Sequence, residues 1–179
     1  MDVVVPASPV LYGRVFIPGP LPGTNDYLRA RSLGGVAKHR GLRRGNDYQK
    51  LKKQWEGTIR LLCSQARIRQ LPPCCYTFLF FEANRQRNPD NIASFTKFFF
   101  DALVCKPDPI IPNDGWSEIL DFKPWWVVEP RQLGVTVFAA DRILEKSEAL
   151  AYDQSARAAR QGVTGYAHRP RASRRVAAE

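Results

Sequence analysis

Cys75-Tyr76-Thr77-Phe78-Leu79-Phe80-Phe81 is followed by a polar, basic loop from Glu82 to Arg87, then by Asn88-Pro89-Asp90-Asn91-Ile92 and an apolar-periodic run ending at Val104. The first segment is aromatic and β-prone, so it reads as a buried strand. In the second, Ile92, Phe95, Phe99, Ala102 and Leu103 mark one buried side, so residues 91–104 read as a helix. Lys106-Pro107-Asp108-Pro109 breaks it. Strand followed by helix, with more strand material beyond, places the chain in the α/β class.

Upstream, residues 15–18 read as a short first strand leading into the turn-rich segment Gly19-Pro20-Leu21-Pro22-Gly23-Thr24-Asn25-Asp26-Tyr27. Gly34, Gly35, Gly41 and Gly45 then mark a loop. A second main helix is predicted from about Asp47 to Ile68, because Tyr48, Leu51, Trp55, Ile59 and Leu62 recur at spacings of three and four. Asn46 or Asp47 can cap it. Lys50, Lys52, Lys53 and Arg60 lie off the apolar stripe and are expected to be exposed and available to phosphate. Pro72-Pro73 closes the unit.

Downstream, residues 119–122, 125–128 and 134–139 read as strands, the last two as a hairpin around Glu129-Pro130-Arg131-Gln132. The composition shifts near Asp141. Residues 141–161 are rich in Ala, Arg and Glu and can form a helix. Residues 162–179, with Arg169, Arg171, Arg174 and Arg175, read as a mobile basic tail. The expected organisation is one domain over residues 1–140 and a C-terminal extension over 141–179.

The 179 residues carry 27 Lys+Arg against 17 Asp+Glu, a net charge of +10. That balance points to a nucleic acid or an anionic surface as partner. Hydrophobic content of 44% is enough for a packed core. No apolar run reaches membrane-spanning length, and Met1-Asp2-Val3-Val4-Val5-Pro6 has no basic region of a secretory signal, so no membrane association and a cytoplasmic location, in a bacterial or phage-infected cell, are expected. Cys63, Cys74, Cys75 and Cys105 form no C-x-x-C pair, and His39 and His168 are the only histidines. That argues against zinc and for reduced, partly buried thiols.

Against this basic background the carboxylates stand out. On a helix beginning at Asp90, residues 90, 97 and 101 project to one face, opposite the phenylalanines. Asp114 follows in the turn Asn113-Asp114-Gly115, from which a return of the chain can bring it beside Asp90. Clustered carboxylates repel unless a cation lies between them, and oxygen ligands select Mg²⁺ or Mn²⁺. Such a metal activates water against a phosphodiester, and Lys97 is spaced to stabilise the developing charge. Taken singly, each element also has an ordinary reading, which spacing alone favours. Asp90 can serve the helix dipole, Asp114-Gly115 is a common turn dipeptide, and Lys97 with Asp101 is an i,i+4 pair.

As an ordered set, these segments resemble the RusA family of Holliday junction resolvases, especially its phage-borne members. The resemblance is carried by Ile17 to Tyr27, the basic helix after it, Glu82-Ala83-Asn84-Arg85-Gln86-Arg87-Asn88-Pro89-Asp90-Asn91-Ile92, Lys97, Phe100-Asp101-Ala102-Leu103 and Asn113-Asp114-Gly115-Trp116. It covers roughly residues 15–140. It implies a small α/β fold with a mixed sheet and a homodimer that binds four-way DNA junctions and cuts opposing strands with Mg²⁺, for which Mn²⁺ can substitute. No small-molecule substrate is implied. Family members use an Asp-x-Asp-Asn motif, a helix lysine and a later aspartate. By resemblance, Asp90, Lys97 and Asp114 are the catalytic residues, and Asp90, Asp114, Asn88 and Asp101 the metal ligands. Lys97 follows from anchoring on Asp101-Ala102-Leu103; counting forward from Asp90 gives Ser94 instead.

Asn88 departs from the pattern, since the family has aspartate there. An amide can ligate through its carbonyl oxygen but brings no charge, so weaker metal affinity is expected, or a rearranged site in which Asp101 or Glu82 compensates. The alternative function is therefore a branched-DNA-binding protein that keeps the fold without cutting. For holding DNA, residues 29–69 contribute twelve Lys or Arg against Asp47 and Glu56 alone. The expected DNA contacts are Arg43, Arg44, Lys50, Lys52, Lys53, Arg85 and Arg87, with Asn25 and Tyr27. Tyr27, Phe16 or Trp116 can wedge at an unpaired junction centre.

Overall fold

The structure, a computed structural model, describes residues 8–26, 28–29 and 47–164. In chain order these form β1 (Leu11–Pro18), α1 (Asp47–Gln65), β2 (Cys74–Glu82), α2 (Pro89–Ala93), α3 (Phe95–Leu103), β3 (Ile119–Val128), β4 (Gly134–Ala140) and α4 (Lys146–Thr164). The result is a mixed α/β fold on one four-stranded sheet, ordered β1-β4-β2-β3. β2 and β3 are parallel neighbours joined through α2 and α3, the helical crossover that parallel strands require. β4 runs antiparallel to both β1 and β2.

Period two explains β2. Tyr76, Phe78 and Phe80 face one layer, and Leu79 and Phe81 face the other. Both faces are covered, so the strand reads as a continuous apolar run rather than an alternation. On the first face, Phe78 stacks on Phe80 at 6.1 Å and meets Phe99 and Phe100 of α3 edge-on at 5.4 and 5.7 Å. Trp55 of α1 meets Phe95 edge-on at 5.2 Å. These offset geometries are the favoured ones for aromatic pairs.

On the second face, Leu79, Phe81, Phe138, Ala140, Leu144 and Ala149 form a separate cluster, with Leu150 and Tyr152 of α4 against it. The predicted helix over 141–161 thus exists as α4 and is packed on the sheet. Arg142 and Glu148 shape its start. Glu148 accepts from Arg142 at 2.7 and 2.9 Å and from the Glu145 backbone N–H at 2.9 Å, and these hydrogen bonds, the arginine's foremost, hold its carboxyl down at about 2. The buried Asp153 carboxylate pairs with Arg14 of β1 and Arg157, and the Thr136 hydroxyl donates to it at 2.7 Å. Residues 165–179, including the four arginines of the predicted tail, lie outside the described residues.

Four expectations are corrected. The hairpin of 125–128 with 134–139 does not form, because β4 inserts between β1 and β2 while β3 takes the sheet edge. Burial explains the placement. All of β4 is buried, as a central strand must be, whereas Leu120, Asp121, Phe122 and Lys123 of β3 are exposed. The segments 119–122 and 125–128 form one strand, continuous through Pro124 at this edge. The predicted helix over 91–104 is two helices broken at Ser94. There the Ser94 hydroxyl donates to the Asn91 carbonyl at 2.8 Å, the acceptor the Phe95 N–H would use in an unbroken helix. β1 begins at Leu11, earlier than the strand expected over 15–18.

Candidate functional site

At the carboxyl ends of β1 and β2 the motif residues form a tightly tied corner. Asn88 precedes α2 in extended conformation, with no side-chain cap hydrogen bond. Pro89 occupies the first turn beside Asp90, which suits the positive helix end. Asn88 and Asp90 are both exposed. Their neighbours reach across to the turn after β1. The Arg87 guanidinium donates to the Leu21 carbonyl at 3.0 Å and to Glu82 at 3.2 Å, and Asn91 accepts from the Asn25 backbone N–H at 3.1 Å. Gly23 lets these side chains approach the turn closely, since a Cβ there would lie 2.4 Å from Asn91 Oδ1 and 3.0 Å from Arg87 Nη2 and both would have to shift. Arg87 and Glu82 are thus partners in holding the corner.

Further along, α3 carries Lys97 and Asp101 into a second locus. One Asp101 oxygen pairs with Lys97 at 3.2 Å and the other with Lys52 of α1 at 3.1 Å, while the Asp101 side chain is only 10% exposed. Lys52 also pairs with Glu56 at 3.5 Å. Burial pulls the Lys52 ammonium down, but the Asp101 hydrogen bond and the fields of Asp101 and Glu56 outweigh it, so its pKa is raised. Lys97 keeps 65% of its side chain exposed.

The turn after α3 brings Asp114 to the same place. Asn113 Oδ1 accepts from the Gly115 N–H at 2.8 Å, and this Asx turn presents Asp114 in the open. Lys97, Asp101 and Asp114 together line a cleft of about 290 Å³, with Thr96, Phe100, Trp116 and Phe122 completing the walls. Three of the predicted functional residues are therefore gathered. Asp90 and Asn88 are not among the lining residues. Sharing a face with Lys97 and Asp101 required an unbroken helix, and the break at Ser94 removes that premise.

The fit to a divalent cation is poor in this arrangement. Among the described residues no three His, Cys, Asp or Glu side chains gather to hold a metal. Asn88 is neutral, Asp101 has both oxygens engaged by ammonium groups, and Asp114 stands as the one uncommitted carboxylate lining the cleft.

The expected DNA contacts divide similarly. Arg85, Lys50 and Lys53 are exposed, as is Asn25. Lys52 is committed to Asp101. Arg60, expected to be available to phosphate, instead donates to the Asp108 carbonyl at 3.1 Å and to the Cys105 carbonyl, fastening α1 to the loop after α3. Phe16 packs in the second core cluster. Tyr27, Arg43 and Arg44 lie outside the described residues. The four thiols are free, with Cys63 and Cys74 buried, and burial pushes the Cys63 thiol up to about 12.

Residue spacing missed the cleft itself, although Trp116, named above as a candidate wedge, stands at its lip. Trp116 is 86% exposed, far more than a tryptophan usually is, and Phe122 of β3, which lines the same cleft, is exposed as well. The signal in the sequence was an indole placed straight after a turn dipeptide, with no apolar periodicity to bury it. Among the described residues no helix is long and apolar enough to cross a membrane. Compared with known proteins, the chain matches no family model, and no curated protein matches it significantly.

Proposed function

We propose that this chain is a structure-specific DNA endonuclease of the RusA type, acting as a homodimer on four-way junctions in recombination or phage DNA processing with Mg²⁺ or Mn²⁺. Support comes from the ordered motif set, the net charge of +10, and a mixed α/β fold whose β2-to-β3 crossover carries Asp90, Asp101 and Asp114. The observation that carries the reading is the single cleft shared by Lys97, Asp101 and Asp114. A C2 dimer offers two such clefts to two strands, as symmetric cutting needs. The exposed Arg85, Lys50 and Lys53 hold phosphates without reading sequence.

A second reading, a branched-DNA-binding protein that does not cut, is favoured by the neutral Asn88 and by the two lysines that occupy Asp101. A labelled four-way junction, with linear duplex as control and Mg²⁺ or Mn²⁺ present or absent, separates the two. Paired, metal-dependent nicks on the junction that disappear in Asp114→Asn while binding persists establish the endonuclease. Tight junction binding without nicks establishes the second reading. Equal affinity for junction and linear duplex, without cutting, rules out both.

A further inference from the structure

We propose that the cleft between α3 and β3 is a subsite for one unpaired nucleobase, stacked on Trp116. This rests on the nucleic-acid-binding part of the proposed function and names the chemical group that the cleft takes. Three observations lead to it.

The first is exposure. Trp116 presents 86% of its surface, and Phe122 beside it presents 45%. Both line the cleft with the Phe100 ring, which is itself packed edge-on to Phe122 at 5.6 Å. Phe122 is thus held from within the core while its outer edge stays open. A flat aromatic platform suits the π-face of any base, and such stacking contributes about 1–3 kcal/mol per base.

The second is charge. A phosphate subsite would be net positive. Here Lys52 and Lys97 are set against Asp101, Asp114 and Glu56, so the locus has no excess of positive charge. A partly apolar cleft without net positive charge suits a base better than its phosphate, while the +10 chain supplies the backbone attraction elsewhere.

The third is the polar edge. Asp114 is an acceptor-only carboxylate on the cleft wall and can take a hydrogen bond from the exocyclic amino group of cytosine or adenine, which thymine lacks. The volume, about 290 Å³, lies at the lower end of ligand pockets, in keeping with one base rather than a stack.

The test is equilibrium binding of fluorescent single-stranded oligodeoxycytidylate and oligothymidylate, without divalent metal, to the full chain and to Trp116→Ala and Trp116→Phe. Trp116→Ala should weaken oligodeoxycytidylate binding about tenfold, Trp116→Phe much less, and the salt slope should not change because no phosphate contact is lost. Wild-type affinity in Trp116→Ala overturns the subsite. A preference for cytosine over thymine supports Asp114 as the acceptor, and equal affinity for the two overturns that part. If the wild type binds no nucleic acid, the proposed function falls along with the subsite. If it binds or cuts junctions while Trp116→Ala behaves as wild type on single strands, the subsite alone falls.

Discussion

The two ends of the broken α2–α3 segment use polar residues in opposite ways. At the α2 end, the Arg87 guanidinium and the Asn91 side-chain oxygen are spent on the protein itself, pinning the turn 19–26 against the motif. At the α3 end, Asp101 is paired as well, yet Asp114, Lys97, Trp116 and Phe122 face an open cleft. Residues from one motif set thus divide into a corner that assembles the fold and a cleft that is free to meet a ligand. Conservative changes at the corner should therefore read out in stability, and those at the cleft in binding.

The largest effect is expected beside the corner, where Gly134 pairs with Pro18 and Phe81 at the ends of β1 and β2. Gly134 sits at φ +137°, and a Cβ there would lie 2.2 Å from the Ile17 carbonyl oxygen. Gly134→Ala should cost about 3 kcal/mol in urea unfolding, combining overpacking with backbone strain. A loss below about 1 kcal/mol would show that the corner yields, and the contrast with the cleft would weaken.

Arg87→Ala comes next. It leaves the half-buried Glu82 without its partner and the Leu21 carbonyl without a donor. A loss of about 1 kcal/mol is expected, discounted for partial exposure. Should this variant keep full stability while losing DNA affinity, Arg87 would belong to the DNA surface rather than the corner.

Asp101→Asn in the cleft keeps the side-chain shape and leaves two ammonium groups that can turn to solvent, so a loss of about 1 kcal/mol is expected. Its informative readout is salt. Removing the anion frees Lys52 and Lys97, so DNA binding should tighten and the slope of log K against log salt should steepen by up to about 2. An unchanged slope would mean that neither lysine meets phosphate.

Much of the fold was legible because it is written in local periodicity. Tyr48, Leu51, Trp55 and Ile59 marked the buried side of α1, and Cys75 to Phe81 marked β2, since each pattern depends only on neighbours a turn or a pleat away. The site was legible in part. The Asx turn at Asn113 to Gly115 is a local device, and the i,i+4 pair of Lys97 and Asp101 is another. The grouping of Asp90 with them was not readable, because it assumed a helix that the Ser94 hydroxyl interrupts.

What the sequence determined by itself was the alternation of strands and helices, most of the buried positions and the basic balance, all properties of short stretches or of composition. The tertiary structure alone decided that β4 lies between β1 and β2, that Lys52 of α1 meets the second oxygen of Asp101, and that Trp116 and Phe122 edge one cleft with Asp114. These are pairings between residues far apart in the chain. They are set by which faces are buried on both sides, and no local period records that.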